Sequence, residues 1–459
     1  MHFPQDEAVA EARAFLAAHP ETESFHLILT DLCGVQRGKH LRRDELMGAY
    51  EAGRFLPGSI LSLDVTGADV VETGLVWSDG DADRLAWPVP GTLVPVPWAQ
   101  SKAAQFVVSM HELDGTPSIA DPRNVLAHVL ERFRPLGLTP VAAVELEFYL
   151  MDRDAALAGK PRPPQALINA ARPEHLQAYL LQDLDDFAPF FRDLYAMAEA
   201  QGLPALTLIS EYAPGQMEVV LRHRADALRA ADEGIMLKRL VRAVAERHGL
   251  AASFMAKPYS QFSGCGMHIH VSLADAKGNN VFAADRAEDN PLLLNAIAGL
   301  KATMADGMLA FAPNANSYRR FRRMSYAPIA PSWGVNNRTV SVRVPASKGP
   351  AMHIEHRPSG ADANPYMVLA CVLAGLHHGI SRKLDPGPAV QGNGYEQQAE
   401  TAMPTNWLAA IEAFRNSAVM RDYLGDRLVD IFATIKDAEV DRFNAEPTER
   451  DFSWYLRTM

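Results

Sequence analysis

The stretch Val141–Leu150 constrains this chain most, because it places two carboxylates inside an otherwise apolar segment. Apart from Glu145 and Glu147, its residues are small, branched or aromatic, and no Gly or Pro interrupts them, which predicts a buried strand. The two glutamates would face the same side, roughly 6–7 Å apart. Two buried like charges are costly unless a positive group lies beside them. A divalent metal ion would meet that need. The alternative is a strand with one solvated face, and this stretch alone does not separate the two.

Length and composition are those of an ordinary globular chain, with 459 residues, 48% hydrophobic and 22% charged. The net charge of −11 argues against a nucleic-acid-binding surface. We expect no membrane partner, since the longest apolar run, residues 367–376, is too short to span a bilayer, and we expect no signal peptide. The three cysteines, Cys33, Cys265 and Cys371, are far apart and predict no disulfide framework, which suits a cytoplasmic location.

The chain is predicted to form two domains. Residues 1–115 contain short strand-like runs, many Pro and Gly residues and few helices, which predicts a small β-rich domain. Asp121-Pro122 is typical of a helix start, so we place the boundary just before it and assign residues 116–459 to a large second domain. Strands and helices interleave irregularly there, which favours an α+β fold with a curved sheet lining a site.

Further polar residues recur on the predicted strands and turns. Glu211 and Glu218 flank a Pro-Gly turn, although acids near turns are usually just solvated. His268 and His270 share a strand face that Ser272 continues, and the glycines ahead of them allow a ligand to approach the backbone. A lone histidine on a strand is usually a core residue, but this spacing favours a functional pair.

Arginines follow towards the C-terminal side. Arg338 and Arg343 bracket a β-branched strand, and their odd spacing puts them on opposite faces unless one lies in the preceding loop. Buried arginines in an acidic chain suit carboxylate or phosphate, whereas a solvated basic face is the alternative. Glu355 and Arg357 share a strand face, as an ordinary ion pair would.

The donor types indicate which chemistry to expect. Several carboxylates with an imidazole suit Mg²⁺ or Mn²⁺ rather than zinc or iron. Metal ions together with arginines suit a nucleotide whose γ-phosphoryl group is transferred. Neither a Walker loop, nor a kinase Gly-rich loop, nor a dinucleotide-binding fingerprint is present in the sequence.

These motifs, in this order, resemble those of the glutamine synthetase family over nearly the whole chain. They are the Glu145-Leu146-Glu147 strand, the EYAPGQ-E turn (211–218), GCGMHIHVSL (264–273), NSYRRF (316–321), NNRTVSVRVP (336–345), HIEHR (353–357) and GADANPY (360–366). The resemblance implies an N-terminal β-grasp domain followed by a large catalytic domain with a curved antiparallel sheet and helices. It also implies a homo-oligomer, a dodecamer of two stacked hexamers, with each site between two subunits.

The resemblance also implies a role for each matching residue, with ATP and two or more Mg²⁺ or Mn²⁺ ions at each site. The ligands of the ion nearest the substrate carboxylate would be Glu147, Glu211 and Glu218. Those of the ion nearest the nucleotide phosphates would be Glu145, His268 and Glu355. Nucleotide contacts would come from His270, Ser272, Arg338 and Arg343. Glutamate would be held by Gly264, Arg320 and Arg357, and the catalytic residues would include Arg320 and Arg338. We add Tyr326 as a catalytic candidate by its position only.

Two positions depart from the ammonia-using members of the family. Those members carry an acid six residues after the arginine of the NSY motif, where this chain has Tyr326. They carry a second acid in an N-terminal turn, where this chain has Phe55–Ile60 and no carboxylate. An ammonium site needs negative charge, whereas Tyr326 and Leu56 suit the carbon chain of an organic amine. Residues 142–150, 254–259 and 360–366 resemble the γ-glutamylputrescine (γ-glutamylpolyamine) synthetase branch.

We therefore predict an ATP-dependent ligase that joins the γ-carboxyl of L-glutamate to a primary amine, putrescine or a related polyamine, through γ-glutamyl phosphate, in polyamine or amine catabolism. Glutamine synthesis from ammonia is one alternative and would need another acid. A non-enzymatic relative is the other, although all six metal-ligand positions are present. The base that deprotonates the amine is open, with Tyr326 a candidate by position only. Asp64 or Glu72 are candidates for the far ammonium of a diamine.

Overall fold

The computed structural model describes residues 5–396 and 402–459, and a six-stranded sheet occupies its N-terminal part. The strands are β1 (Ser24–Thr30), β2 (Gln36–Arg42), β3 (Arg54–Pro57), β4 (Asp83–Pro88), β5 (Val94–Pro95) and β6 (Ala103–His111). Their order is β2-β1-β6-β4-β3, with β5 on β6. β1 and β6 run parallel and the other pairs are antiparallel. Helices α1 (Gln5–Ala18) and α2 (Leu46–Ala52) pack on each other. The region is β-rich, as predicted.

A second sheet of eight strands carries the polar motifs. Its strands are β7 (Thr139–Asp152), β8 (Ala205–Ser210), β9 (Gln216–Leu221), β10 (Leu250–Ser253), β11 (Met267–Ala274), β12 (Trp333–Val335), β13 (Val342–Val344) and β14 (Ile354–His356). The order is β12-β13-β14-β11-β7-β9-β8, with β10 on β7. We expected an antiparallel sheet, but the sheet is mixed. Residues 336–341 return the chain to the starting end of β12, so β13 runs parallel to β12.

The acidic strand is confirmed and lies near the centre of this sheet. β7 is 14 residues long and pairs with β11 and then β10 along one edge and with β9 along the other. Val144, Leu146 and Phe148 are fully buried. Glu145 and Glu147 are only partly buried, so the apolar residues anchor the strand while both carboxylates face one open side.

Helices cover the rest of the second part of the chain. They are α3 (Pro122–Glu131), α4 (Arg153–Leu157), α5 (Leu181–Asp186), α6 (Ala188–Ala200), α7 (Ala227–Arg247), α8 (Pro291–Ala302), α9 (Met304–Phe311), α10 (Pro365–Arg382), α11 (Trp407–Asn416), α12 (Ala418–Leu424), α13 (Asp426–Ala445) and α14 (Glu449–Tyr455). The buried helix α10 packs against α3, α7 and α8. Side chains of Asp121 and Asn364 cap α3 and α10, as their Asp-Pro and Asn-Pro pairs predict.

Several boundaries differ from the sequence pattern. The sequence pattern over residues 174–201 predicts one long helix, but a helix forms only from Leu181, and a second one begins just before Pro189, which has no N–H to continue the previous turn. The sequence pattern over residues 291–310 also predicts one helix, but the structure breaks it between α8 and α9 with a bend of 69°. The strand predicted over residues 338–344 shrinks to β13, so Arg338 lies in the preceding loop.

Within the part of the chain that the structure describes, no single helix is both long and apolar enough to cross a membrane. The bent pair α8 and α9 meets that test jointly, by length and composition only.

Candidate active site

A cleft of about 700 Å³ opens beside the open face of β7. Ten of the predicted site residues line it, namely Glu145, Glu147, Glu211, Glu218, Gly264, His268, Arg320, Tyr326, Arg338 and Arg357. Four others are outside its lining: His270, Ser272, Arg343 and Glu355. Most of the residues that the sequence singled out therefore meet at one place, although they come from distant parts of the chain.

The strand register explains this convergence. His268 on β11 lies directly opposite Glu145 on β7, and Glu218 on β9 lies directly opposite Glu147. Glu355 on β14 lies opposite His270 on β11. Directly paired residues of antiparallel strands project to the same face of a sheet with their Cβ atoms about 5 Å apart. The polar groups of four strands are thus brought together on one side of the sheet.

The first cluster is formed by Glu145, His268 and Glu355, whose ligand atoms all lie within 4.8 Å of one another. One oxygen of Glu145 is 2.5 Å from Nδ1 of His268, and the other is 3.1 Å from Nε2 of His270. An oxygen of Glu355 is 3.7 Å from the same Nδ1 of His268. This trio is the one grouped by the family resemblance, and the three side chains are within reach of a single ion.

The second cluster is formed by Glu147, Glu218 and His268, again within 4.8 Å of one another. His268 stands here where we expected Glu211, which belongs to neither cluster. Glu211 follows β8, which is separated from β7 by β9, so its carboxyl starts one strand further away. It hydrogen bonds with the carboxyl of Glu218 and still lines the cleft.

The carboxylates differ in how strongly they resist ionisation. Burial, together with the nearby charges of Glu145 and Glu147, raises the pKa of Glu218 to about 11. Burial and the charge of Glu147 raise the pKa of Glu211 to about 7. Burial also opposes ionisation of Glu145, but the adjacent His268 outweighs it and lowers the pKa well below its usual range. The cleft thus crowds more negative charge than its own cations neutralise.

Chemically, this donor set fits a divalent metal ion. A cation among the crowded carboxylates would relieve the repulsion that raises the pKa values of Glu211 and Glu218. Nε2 of His268 is buried and has no hydrogen-bond partner among the described residues. Carboxylate oxygens with a single imidazole are the ligands expected for Mg²⁺ or Mn²⁺.

Metal binding is predicted to stabilise the protein in a pH-dependent way. Folding favours the protonated forms of Glu211 and Glu218, so their contribution is fully present below the ordinary pKa of 4.5 and is lost as the pH rises, through about 7 for Glu211. At pH 8, Mg²⁺ or Mn²⁺ should therefore raise the melting temperature by on the order of 5 °C over protein in EDTA. At pH 5 the gain should be smaller, because protons compete for the carboxylates.

Thermal denaturation at pH 5, 7 and 8, with EDTA or with added metal, checks this expectation. The double variant E211Q/E218Q serves as the control, since it should lose most of the pH dependence. If added metal leaves the melting temperature unchanged at every pH, the proposal that the two clusters bind metal ions is contradicted.

Buried arginines form another part of the cleft. Arg320 is only 5% exposed, and its Nη1 donates to the carbonyl of Pro358 at 2.7 Å. Arg357 is equally buried and donates to Glu355. Arg343 also donates to Glu355, at 2.6 Å. Burial opposes ionisation of Glu355, but the charges of Arg357, His268 and His270 lower its pKa to about 2. Arg338, in contrast, was expected to be buried but is exposed, because it lies in the loop that precedes β13.

Sequence reasoning missed Gln216, which fixes the carboxylate of Glu147. Its side-chain amide donates to Glu147 Oε2 at 3.2 Å and to the carbonyl of Gly264 at 3.0 Å. The backbone N–H of Gly266 donates to the same oxygen at 2.8 Å. The position of Gln216 on β9, two residues before Glu218 and hence on the same face, is the signal that could have revealed it. Tyr179 and Lys257 also line the cleft and were not predicted.

Three N-terminal candidates are not near the cleft of their own chain. Leu56 is buried in the N-terminal core, and the exposed side chain of that strand is Phe55. Asp64 is fully buried and pairs with Arg442, so it is not available to an ammonium group. Glu72 is exposed but does not line the cleft.

A cleft of this composition on a sheet of this order defines a class of protein. The chain belongs to the glutamine synthetase family, since the family model described as "Glutamine synthetase, catalytic domain" matches residues 119–455. It is 39% identical over 447 residues to gamma-glutamylputrescine synthetase PuuA of Escherichia coli strain K12, covering 97% of this chain and 94% of that protein. It is 32% identical over 464 residues to glutamate–isopropylamine ligase of a Pseudomonas species, covering 98% of both.

The fold agrees with this assignment. The solved structure described as "GmaS/ADP complex-Conformation 1" matches with a TM-score of 0.84 at 29% identity, covering 98% of this chain and 99% of that one. The family resemblance that the sequence motifs indicated is thereby confirmed.

Proposed function

We propose that this chain is an ATP-dependent ligase that joins the γ-carboxyl of L-glutamate to a primary amine, putrescine or a related polyamine. The observation that carries the proposal is the meeting of two overlapping carboxylate–histidine clusters with buried arginines in one cleft. Two relatives in this family are named as ligases of glutamate or glutamyl groups with organic amines, and their similarity covers nearly the whole chain.

The reaction proceeds in two steps. A γ-carboxylate oxygen of glutamate attacks the γ-phosphorus of ATP, and ADP leaves with the bridging oxygen. The amine nitrogen then attacks the acyl carbon of γ-glutamyl phosphate, phosphate leaves and the nitrogen loses a proton. When bound, two or more Mg²⁺ or Mn²⁺ ions supply positive charge to the phosphoryl oxygens.

The chain's own residues bind and orient the reactants. Arg320 and Arg357 hold glutamate carboxylates and the phosphoryl group, since both guanidinium groups are fixed by neighbouring acceptors at the cleft. Gly264 offers its backbone beside them, and Arg338 faces the ATP phosphates from the rim. His270, Ser272 and Arg343 remain predicted nucleotide contacts, and Tyr326 remains a candidate for the amine side of the site.

The proposed enzyme has two domains and assembles into rings. Residues 1–115 form a β-grasp domain and residues 116–459 the catalytic domain. The parallel β1–β6 pair flanked by antiparallel strands supports the first assignment. The protein works in the cytoplasm as a dodecamer of two stacked hexamers, and its physiological role is polyamine or amine catabolism.

A panel of amines tests the proposed substrate class. With glutamate and ATP present, kcat/KM for putrescine, measured as phosphate release, should be about 100-fold higher than kcat/KM for ammonia. The reason is that the two acids expected to bind ammonium are absent from this chain. Methylamine, ethanolamine and spermidine complete the panel, and reactions without glutamate are the control. Strong turnover with ammonia alone would indicate a glutamine synthetase. No turnover with any amine would favour a non-enzymatic relative.

A further inference from the structure

The loop between β14 and α10, residues 357–364, holds the guanidinium group of Arg320. Nη1 of Arg320 donates to the carbonyl of Pro358 at 2.7 Å, and Nη2 donates to the carbonyl of Arg357 at 3.3 Å. These backbone carbonyls fix the far end of the side chain. They do not fix the backbone from which the side chain starts, and other contacts do so.

Asp362 belongs to the same loop and contacts the segment that leads into Arg320. Its Oδ2 accepts from the hydroxyl of Ser317 at 2.6 Å and from the side-chain amide of Asn314 at 2.8 Å. The hydroxyl of Ser317 also accepts from the backbone N–H of Asn314, at 3.1 Å. The carbonyl of Ser317 accepts from the backbone N–H of Arg320 at 3.1 Å. A continuous chain of hydrogen bonds therefore joins the Asp362 carboxylate to the backbone of Arg320.

The charge of Asp362 acts on Arg320 as well. Burial lowers the pKa of the Arg320 guanidinium, whereas the negative charges of Glu147 and Asp362 oppose that shift. The second oxygen of Asp362, Oδ1, is buried and has no hydrogen-bond partner in residues 5–396 or 402–459. A carboxylate with one oxygen left unpaired is costly to bury, so its place in the fold calls for a reason beyond the two hydrogen bonds on Oδ2.

Building on the ligase function proposed above, we propose that Asp362 is a positioning residue for Arg320. It sets the place and the direction from which the guanidinium enters the cleft, and its charge favours the charged form of that buried side chain. Arg320 lines the cleft, whereas Asp362 lies outside the cleft lining and acts without contacting substrate. Misplacing a binding group by about 1 Å can lower an enzymatic rate about 100-fold, which is the scale of effect that such a residue can have.

The variant D362A tests the proposal through the balance between KM and kcat. It should raise the KM for glutamate by about 10-fold and lower kcat by about 10-fold, because Arg320 is assigned to glutamate and the transferred phosphoryl group. The KM for ATP should stay within about twofold of the wild type. D362N keeps an oxygen that accepts from Ser317 and Asn314 and removes only the charge. It should recover most of the loss, with a KM for glutamate within about threefold of the wild type.

D306A is the matched control. The hydroxyl of Ser417 donates to Asp306 at the same distance of 2.6 Å, and both residues lie outside the cleft lining. D306A should leave the KM values for glutamate and ATP within about twofold of the wild type, even where it lowers the melting temperature.

A double-mutant cycle decides whether Asp362 acts through Arg320. R320K alone should lower kcat/KM for glutamate by about 100-fold, because an ammonium group does not reproduce the planar fork of the guanidinium. If Asp362 acts by placing that guanidinium, R320K/D362A should be no more than about twofold worse than R320K. Losses that multiply in the double variant would overturn the proposal, as would wild-type kinetics of D362A.

The outcomes separate this inference from the function on which it rests. If the wild-type protein ligates glutamate to an amine and D362A behaves like D306A, only the positioning role is overturned. If no amine supports glutamate-dependent turnover of the wild-type protein, the ligase function fails and the role of Asp362 fails with it. Melting curves verify that each variant is folded. Should D362A not fold, S317A removes one contact of the same carboxylate and should raise the KM for glutamate by about threefold, again without changing the KM for ATP.

Discussion

Replacing Glu145 with alanine is expected to lower ligase turnover by about 1,000-fold or more while leaving the fold intact. Glu145 is the carboxylate that contacts both His268 and His270, and it belongs to the first cluster. Without it, His268 and Glu355 keep their places but lack the partner that completes the ligand set. The fold should survive because the side chain faces the cleft, whereas the neighbouring Val144 and Leu146 anchor β7 in the core.

The measurements are ADP formation with glutamate and putrescine, a melting curve and a titration with Mn²⁺. E145Q is the second variant, because it keeps the shape and the hydrogen-bonding capacity but removes the charge, and it should be nearly as inactive. Glu199 on α6 is exposed and outside the cleft, so E199A is the matched control. Wild-type activity of a folded E145A protein, or unchanged Mn²⁺ binding, would contradict the assignment of Glu145 to a metal site.

Adding a single methyl group at Gly266 is expected to reduce turnover by about 100-fold. A Cβ at this position would lie 2.8 Å from Nη2 of Arg320 and 2.8 Å from Nε2 of His268. Both side chains are buried, and the Arg320 guanidinium is fixed by the carbonyl of Pro358, so neither can move without disturbing the site. The backbone N–H of Gly266 also orients Glu147, so one substitution perturbs a predicted ligand of each cluster and a substrate-binding arginine.

Steady-state kinetics of G266A with glutamate, ATP and putrescine provide the test, with the loss expected in kcat as well as in the KM for glutamate. The control is G48A on α2, where a Cβ would make only ordinary contact, 3.5 Å from the Arg54 guanidinium. G48A should behave as the wild type. A fully active G266A would show that the close approach of Gly266, Arg320 and His268 is unimportant to the reaction.

Local patterns in the sequence predicted the elements that carry the chemistry. The apolar run around Glu145 and Glu147 predicted β7, and the Asp121-Pro122 and Asn364-Pro365 pairs predicted the starts of α3 and α10. These features depend on neighbouring residues alone, through side-chain periodicity and capping. Helix breaks were less predictable, because the bend between α8 and α9 and the late start of α5 depend on what those segments pack against.

Which side chains group together as metal ligands could not be predicted from each strand taken alone. Grouping by resemblance assigned Glu211 beside Glu147 and Glu218, whereas the structure places His268 there and keeps Glu211 one strand further out. In β3 the resemblance pointed to Leu56, but strand alternation buries it and exposes Phe55. A side chain's face and its partners depend on which strands are neighbours and in what register, and both are tertiary properties.

The sequence by itself determined the buried acidic strand and the set of polar residues available to the site, because residue type and periodicity are encoded along the chain. The order of its motifs carried the resemblance to the family. Only the tertiary structure decided that His268 is shared by both clusters and that Gln216 holds Glu147. The physical reason is that each of these facts is a distance between residues far apart in sequence, and strand pairing and packing set such distances after the local elements have formed.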